Sequence, residues 1–410
     1  MAKSDLIVGL DIGTTKICAV VGEVTPDGVD IVGIGTCPST GLRKGVVVSI
    51  DNTVTSIQKA LQEAELMAGC EIRSVYAGIA GSHIKGFNSD GVIAIKGDAV
   101  TDKDVERALD AAKAVAIPLD REVIHTLPQE YIIDDQRNIS DPIGMAGVRL
   151  EVKVHIVTGA VASAQNIVRS CHKSGLDVSD IVLESLASAK AVLTDEEREL
   201  GVALVDLGGG TSDIAVFAEN AIKHTGVLPL GGQNLTSDIA YGLRTPLAGA
   251  EAIKLRHACA MVDMVHTDEF IEVPGVGGRE PRRLSRRMLA EICQPRMEEI
   301  LALVDQDLTR SGYKHAAGAG VVLTGGTALI EGCQELGEQI FNMPTRIGYP
   351  RNVGGLKDVV NSPKYATAVG LLCYGAEKEN GSGGARFKQR DSSLFNNVFS
   401  RMKKWFKDVS

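Results

Sequence analysis

The chain reads as an α/β protein made of two similar halves, and three observations predict it. An apolar strand, an acidic Gly/Thr turn and a second apolar strand occur twice, as LIVGL-DIGTTK-ICAVVGEV near the start and GVALVDLGGGTSDIAVF from residue 201. A third strand follows each hairpin (VDIVGIGT and AIKHTGVLPL), and helical segments then alternate with strands, as in sheets covered by helices. The 410 residues suffice for a large core and more than one domain.

The elements follow in order. After the third strand, residues 51–67 form a helix stopped by Gly69, and SVYAGIA returns to strand. Residues 82–158 change character to a smaller mixed unit. Thr101 caps TDKDVERALDAAKAV, with Asp102 and Asp104 favouring the helix dipole. VRLEVKVHIV alternates strictly: Val148, Leu150, Val152, Val154 and Ile156 face one way, Arg149, Glu151, Lys153 and His155 the other. That pattern predicts a half-buried strand with one wet face. Further on, residues 282–310 read as a long helical region interrupted near Pro295. VVLTGGTALIEG reads as strand, glycine turn and helix start, and residues 364–376 as a closing helix. KENGSGGARFKQRDSS has the composition of a flexible linker.

Composition excludes several classes. No window approaches the roughly 18 unbroken apolar residues of a membrane-spanning helix, and the first apolar run is too short for a signal peptide. The expected compartment is therefore the cytosol. Eight scattered cysteines without a CxxC pair read as reduced thiols filling the core. The eight histidines show no metal-ligand spacing. A net charge of -9 argues against nucleic acid as a partner.

Each glycine turn alone is consistent with a plain tight hairpin. Their combination says more. Unobstructed backbone N–H groups, with the hydroxyls of Thr14, Thr15, Thr211 and Ser212, make a donor set suited to phosphate oxygens. Asp11 and Asp206 end buried strands, where a carboxylate needs compensation. A hydrated Mg²⁺ bridging to phosphates would supply it, and Lys16 adds a point charge. Gly325, Gly326 and Thr327 form a third loop of small residues that a flat base or ribose could approach. Gly231 and Gly232 stand just ahead of another helix.

DIGTTK, DLGGGTSDIAV and TGGTALIEG, in this order, resemble the phosphate-1, phosphate-2 and adenosine motifs of the actin, Hsp70 and hexokinase superfamily. ESLASAKAVL, from Glu184, looks like its connecting helix. The insert from SHIKGFNSDGVIAI to VKVHIV, the stretch LPLGGQNLTSDIA and the tail narrow the resemblance to the FtsA family of bacterial cell division. That resemblance implies an actin-like two-lobed ATPase fold of duplicated ribonuclease H-like sheets, with an inserted α+β subdomain and a C-terminal amphipathic helix. Its expected divisions are a first lobe (1–81, 163–200 and 365–379), the insert (82–162), and a second lobe with base (201–243 and 312–364) and outer part (244–311). A linker (380–393) and the amphipathic helix (394–408) complete it.

The resemblance further implies ATP and Mg²⁺ between the lobes. Gly13, Thr14, Thr15, Lys16, Gly208, Gly209, Gly210 and Thr211 would hold phosphates, and Asp11 and Asp206 would organise Mg²⁺ through water. Glu251 and Lys254 match an adenosine-contacting pair. Glu184 stands where relatives orient the attacking water; alternatively, it caps its own helix. At most slow ATP hydrolysis is expected.

The tail is informative without any family. On a helix, Leu394, Phe395, Val398, Phe399, Met402, Trp405 and Phe406 share one arc, while Arg401, Lys403, Lys404 and Lys407 lie off it. The only tryptophan and three of the eight phenylalanines are here. A bulky apolar face with flanking cations favours a helix lying in the membrane plane over docking on the protein's own core or on a partner helix. Arg282, Arg283, Arg286 and Arg287 recur at helical spacing and predict one basic face, either solvated or a dock for an acidic peptide. The resemblance assigns it the C-terminal tail of FtsZ. It also implies filaments of this chain, other division proteins on the insert, and the inner membrane face at the division site. A metabolic kinase of the superfamily, or an assembly platform for another envelope machine such as type IV pili, would share the cleft without needing such a tail.

Overall fold

The structure is a computed structural model that describes residues 6–26 and 28–380. The expected linker beyond residue 380 and the amphipathic helix lie outside the described residues, and the start of the KENGSGG stretch continues the helix Ala366–Asn380. Two sheets carry the fold. The first hairpin pairs Leu6–Ile12 with Lys16–Thr25, and Gly28–Pro38 adds antiparallel to it. Ser74–Ile79 lies parallel on the other side of Leu6–Ile12, and Asp177–Leu183 parallel beyond that. The second half repeats this order. Val202–Leu207 and Ser212–Ala218 form the hairpin, Ala221–Leu228 adds antiparallel, and Val321–Thr324 and Thr345–Ile347 follow in parallel. The duplication expected from the turns is thus a duplication of whole-sheet topology. Val353–Gly355, from the stretch expected in the second lobe, pairs with the Gly28–Pro38 edge of the first sheet.

Ile50–Ala68 forms the first long helix, capped by the Ser49 side chain and ended by Gly69 in the left-handed region. Two further helices join the sheets. The linking helix Glu184–Val192 and the closing helix Ala366–Asn380 share one apolar cluster with Ile7, Val20 and Ile31 of the first sheet and Leu204, Ala215 and Val322 of the second. Fully buried Leu371 and Leu372 each stabilise this junction by roughly 1.5–3 kcal/mol. The two helices touch through backbone: a Cβ on Gly370 would stand 1.8 Å from the Ala187 carbonyl oxygen. Among the described residues, no helix is long and apolar enough to cross a membrane.

The insert is a four-stranded antiparallel sheet of Lys85–Ala94, Arg149–Ala160, Arg121–Ile133 and Gln136–Ile139. Its helix, Asp102–Lys113, starts in a Thr101/Asp104 capping box and shares a core with Leu150, Val152, Val154 and Ile156. Two residues depart from the expected alternation. Val148 lies before the strand and is 75% exposed. His155, expected on a wet face, is 1% exposed, because that face meets the second sheet. Its Nε2 lies 2.8 Å from Thr225 Oγ1 and its Nδ1 2.7 Å from Asn88 Oδ1. Burial then pushes the imidazole down to about 4.

The long helix also differs from expectation. Arg282–Ser285 is a strand paired with Phe270–Val273, and the helix Arg286–Ser311 begins behind a Ser285 cap and runs through Pro295. Proline there costs about 3 kcal/mol. Leu289, Cys293, Met297, Ile300, Leu301, Val304 and Leu308 are buried along the same helix, which outweighs that cost. The four arginines therefore form no single helical face. Arg282 donates to the Leu243 carbonyl oxygen, Arg283 stacks 4.3 Å from the Phe270 ring, and Arg286 pairs with Glu269 and Glu331. The first two sit on a strand and the last two on a helix.

Candidate functional site

A cleft of about 520 Å³ opens where the two hairpin turns meet. Its size suits a small ligand or nucleotide. The first turn, Gly13 to Lys16, and the second, Gly208 to Thr211, both line it. Their approach leaves no room for side chains. A Cβ on Gly209 would lie 2.4 Å from Thr15 Cγ2, and one on Gly210 would lie 2.5 Å from Thr14 Oγ1. Glycine is thus a steric requirement here, and it leaves the backbone uncovered for a ligand.

The third loop and the fourth glycine pair support the second turn. Thr327 donates to the Gly208 carbonyl oxygen at 2.9 Å, and Gly325, Gly326 and Thr327 line the cleft. They form a single 3₁₀ turn, Gly326–Leu329, while the α-helix begins only at Cys333, beyond left-handed Gly332. Gly231 and Gly232 stand behind the cleft. The Gly232 and Gln233 amides donate to the Gly208 and Gly209 carbonyl oxygens at 3.0 and 2.7 Å, which fixes the second turn. Ser212 also points away, donating to the Leu230 carbonyl oxygen at 2.9 Å.

The floor of the cleft concentrates charge. Asp11 and Asp206, both buried, face it from the equivalent strand ends of the two sheets. Lys16 Nζ donates to Asp11 Oδ2 at 3.2 Å and to the Lys364 carbonyl oxygen at 2.9 Å. Asp206 Oδ2 accepts from Ser188 at 2.5 Å and from Thr367 at 3.1 Å. Two further carboxyls complete the floor. Glu184 begins the linking helix but caps nothing there. Burial, then Asp11, Asp213 and Asp206, raise it well above the ordinary carboxylate range against the pull of Lys16.

Asp213, which the motif pattern does not single out, is the fourth. Thr211 donates to its Oδ2 at 2.8 Å, while its buried Oδ1 has no hydrogen-bond partner among the described residues. Burial and the Asp206 charge push it up to about 7. Its sequence signal is its place across the glycine turn from Asp206, with which it pairs in the hairpin register.

Four carboxyls around one lysine leave negative charge that a divalent cation would compensate. Among the described residues, no three His, Cys, Asp or Glu side chains converge to hold a metal alone. A cation here would need oxygens from water or from a ligand, which is how Mg²⁺ binds with one or two carboxylates. The donor set therefore fits a hydrated Mg²⁺ beside phosphate.

The far end is built on the helix Leu247–His257. Lys254 Nζ reaches Glu251 at 2.8 Å, Thr236 Oγ1 at 2.9 Å and the Gly232 carbonyl oxygen at 3.1 Å. This network joins the wall to the second turn. Leu255, Arg256, Leu329 and Ile330 line the mouth, as does Arg286. Of the four arginines expected on one partner face, Arg286 thus belongs to the cleft wall.

Comparison with known proteins agrees with this architecture. The family model described as Cell division protein FtsA matches residues 203–370, and that of the SHS2 domain inserted in FTSA matches 81–158. Among solved structures, a PilM-PilN type IV pilus biogenesis complex superposes with a TM-score of 0.65 at 16% identity, covering 90% of this chain and 98% of that one. MreB5 of Spiroplasma citri bound to ADP gives 0.52 at 15% identity, covering 92% and 99%. These likenesses establish an actin-like ATPase fold. The Cell division protein FtsA of Pseudomonas aeruginosa is 54% identical over 406 residues, 98% of this chain and 97% of that one. That of Escherichia coli K12 is 46% identical over 410 residues, 98% and 97% of the two chains. With such identity over nearly the whole length of both, the chain belongs to the FtsA family of cell-division proteins.

Proposed function

We propose that this cell-division protein is a nucleotide-operated adaptor. It binds ATP with Mg²⁺ in the cleft, polymerises, and ties the FtsZ ring to the cytoplasmic face of the inner membrane at the division site, where later division proteins join it. The observation that carries the nucleotide step is the meeting of two glycine turns, from topologically equivalent sheets, over four carboxyl groups and one lysine. The two Spiroplasma citri MreB5 structures, described as bound to ADP and to AMPPNP, support the same use of this fold.

On this reading Gly13 to Lys16 and Gly208 to Thr211 receive the phosphates, and Asp11 and Asp206 face the hydrated cation. Glu251, Lys254 and the Gly325–Thr327 loop receive the nucleoside, while Gly231 and Gly232 hold the second turn in place. Mg²⁺ supplies charge compensation when bound. A base must be ionised to take a proton from water, and burial with three neighbouring carboxyls makes Glu184 harder to ionise, which favours binding over turnover. ATP then acts chiefly as a conformational ligand through its differential affinity for the polymerising state.

The membrane step rests on the sequence of residues 394–408. Arg401, Lys403, Lys404 and Lys407 contribute at most about 1 kcal/mol each near anionic lipid, so one tail binds reversibly and many tails on a filament bind firmly. For the FtsZ tail, exposed Arg283 is left for an acidic peptide, whereas Arg286 is committed to two glutamates and Arg287 lies 3.8 Å from both Asp263 and Glu291. Liposome flotation of the full chain, with and without ATP and an FtsZ C-terminal peptide, tests these steps together. ATP should increase flotation with anionic vesicles, and the peptide should float with the protein. Replacing Trp405 and Phe406 with Glu should release the protein, and undiminished flotation of that variant refutes the membrane step.

A further inference from the structure

Asp206 is held by two side chains that no sequence pattern marks. Its Oδ2 accepts from Ser188 of the linking helix at 2.5 Å and from Thr367 of the closing helix at 3.1 Å. The two hydroxyl oxygens are 3.0 Å apart, so three oxygens form a closed triangle. With the carboxylate ionised, two hydroxyl protons serve three contacts, and both are best used toward the charge. The other carboxylate oxygen, Oδ1, is turned toward Gly325, where a Cβ would lie 2.4 Å from it. One oxygen is thus anchored by both helices, while the residue lines the cleft.

The support behind this anchor is rigid. Ser188 is fully buried and Thr367 nearly so. The closing helix is pinned on two sides where glycine admits backbone contact: Gly370 against the Ala187 carbonyl, and Gly9 of the first hairpin against the Ala368 carbonyl at 2.4 Å from a would-be Cβ. Thr367 precedes Ala368 directly, and it also lines the cleft. Side chains that hold a ligand-facing group through short bonds from rigid helices set its geometry.

We propose that Ser188 and Thr367 are positioning residues that aim the Asp206 carboxylate at the cation accompanying the nucleotide, which makes the linking and closing helices part of the cation-binding apparatus. The proposal rests on the nucleotide reading above. A role confined to packing would affect nucleotide affinity equally with and without the cation; positioning affects it only with the cation.

The test titrates a fluorescent ATP analogue into the full chain in Mg²⁺ and in EDTA, for the wild type and for Thr367→Val, Ser188→Ala and Thr367→Ser. Thr367→Val and Ser188→Ala should each weaken binding about tenfold in Mg²⁺, as for loss of a hydrogen bond to a charged group, and by less than about twofold in EDTA. Thr367→Ser keeps the hydroxyl and should stay near the wild type. If Thr367→Val fails to fold, Ser188→Ala carries the comparison, since it deletes a single oxygen. Equal weakening in both buffers, or none in Mg²⁺, overturns the assignment while leaving nucleotide binding intact. A wild-type chain whose binding ignores Mg²⁺ overturns both the assignment and the reading beneath it.

Discussion

A carboxyl group pushed up to about 7 at the floor of a cleft is harder to ionise than an ordinary one. Asp213 is such a group, and Glu184 is displaced in the same direction by burial and by the carboxylates around it. A folded-state value above the ordinary one means the folded chain holds more protons than the unfolded chain between pH ~4 and ~7, so stability falls as pH rises through that window. Asp213→Asn removes this cost. The ligand-free variant should gain several degrees of thermal midpoint over the wild type at pH 8, with the gain shrinking toward pH 5. A pH-independent difference would contradict the raised value. The residues that announce themselves in sequence are those the backbone itself requires: Gly209 and Gly210 where two turns touch, and Asp11 and Asp206 at strand ends. Ser188 and Thr367 do not, because only tertiary packing brings their two helices against Asp206, and Asp213 is set opposite Asp206 by the hairpin register rather than by the glycine motif.

At the scale of elements, the paired linking and closing helices depend on Gly370. Even Ala there places a methyl group inside the Ala187 carbonyl. Gly370→Ala should therefore cost about 1–3 kcal/mol by overpacking in a denaturant titration, and an unchanged midpoint would mean the helices are not in backbone contact. The insert meets the second sheet through another unadvertised contact. His155, Asn88 and Gln129 face Thr225 and the carbonyl oxygens of Ile222 and Lys223, with Tyr313 and the His224–Asp307 pair alongside. Because His155 is held down to about 4, the unfolded form gains protons first as pH falls below ~6.5, and the seam loses stability. Acidification from pH 7 to 5 should reduce hydrogen-exchange protection in Ala221–Leu228 and Lys85–Ala94 more than in Leu6–Ile12; uniform protection would contradict this. Strict alternation revealed the strand carrying His155 but not that its polar face would be covered. Helical spacing likewise suggested a basic face, where the pairing of Arg282–Ser285 with Phe270–Val273 starts the helix four residues later.

For the molecule as a whole, the repeated strand order explains why so much was legible. Each half places an acidic Gly/Thr turn at the end of its first strand, so two local patterns far apart in sequence become the two walls of one cleft. What local pattern omits is the joinery: the shared apolar cluster between the sheets, the Val353–Gly355 strand crossing to the first sheet, and the insert braced against the second half. These come from packing between distant segments, and they couple the cleft to the rest of the protein. On the proposed function, this joint between halves is a nucleotide site. Calorimetric titration of ATP in Mg²⁺ into the wild type and Gly209→Val measures it most directly. The wild type should bind saturably one-to-one, and Gly209→Val, whose side chain would enter the space Thr15 occupies, should lose binding. A folded wild type that does not bind ATP, or a folded Gly209→Val that binds as tightly, would contradict it.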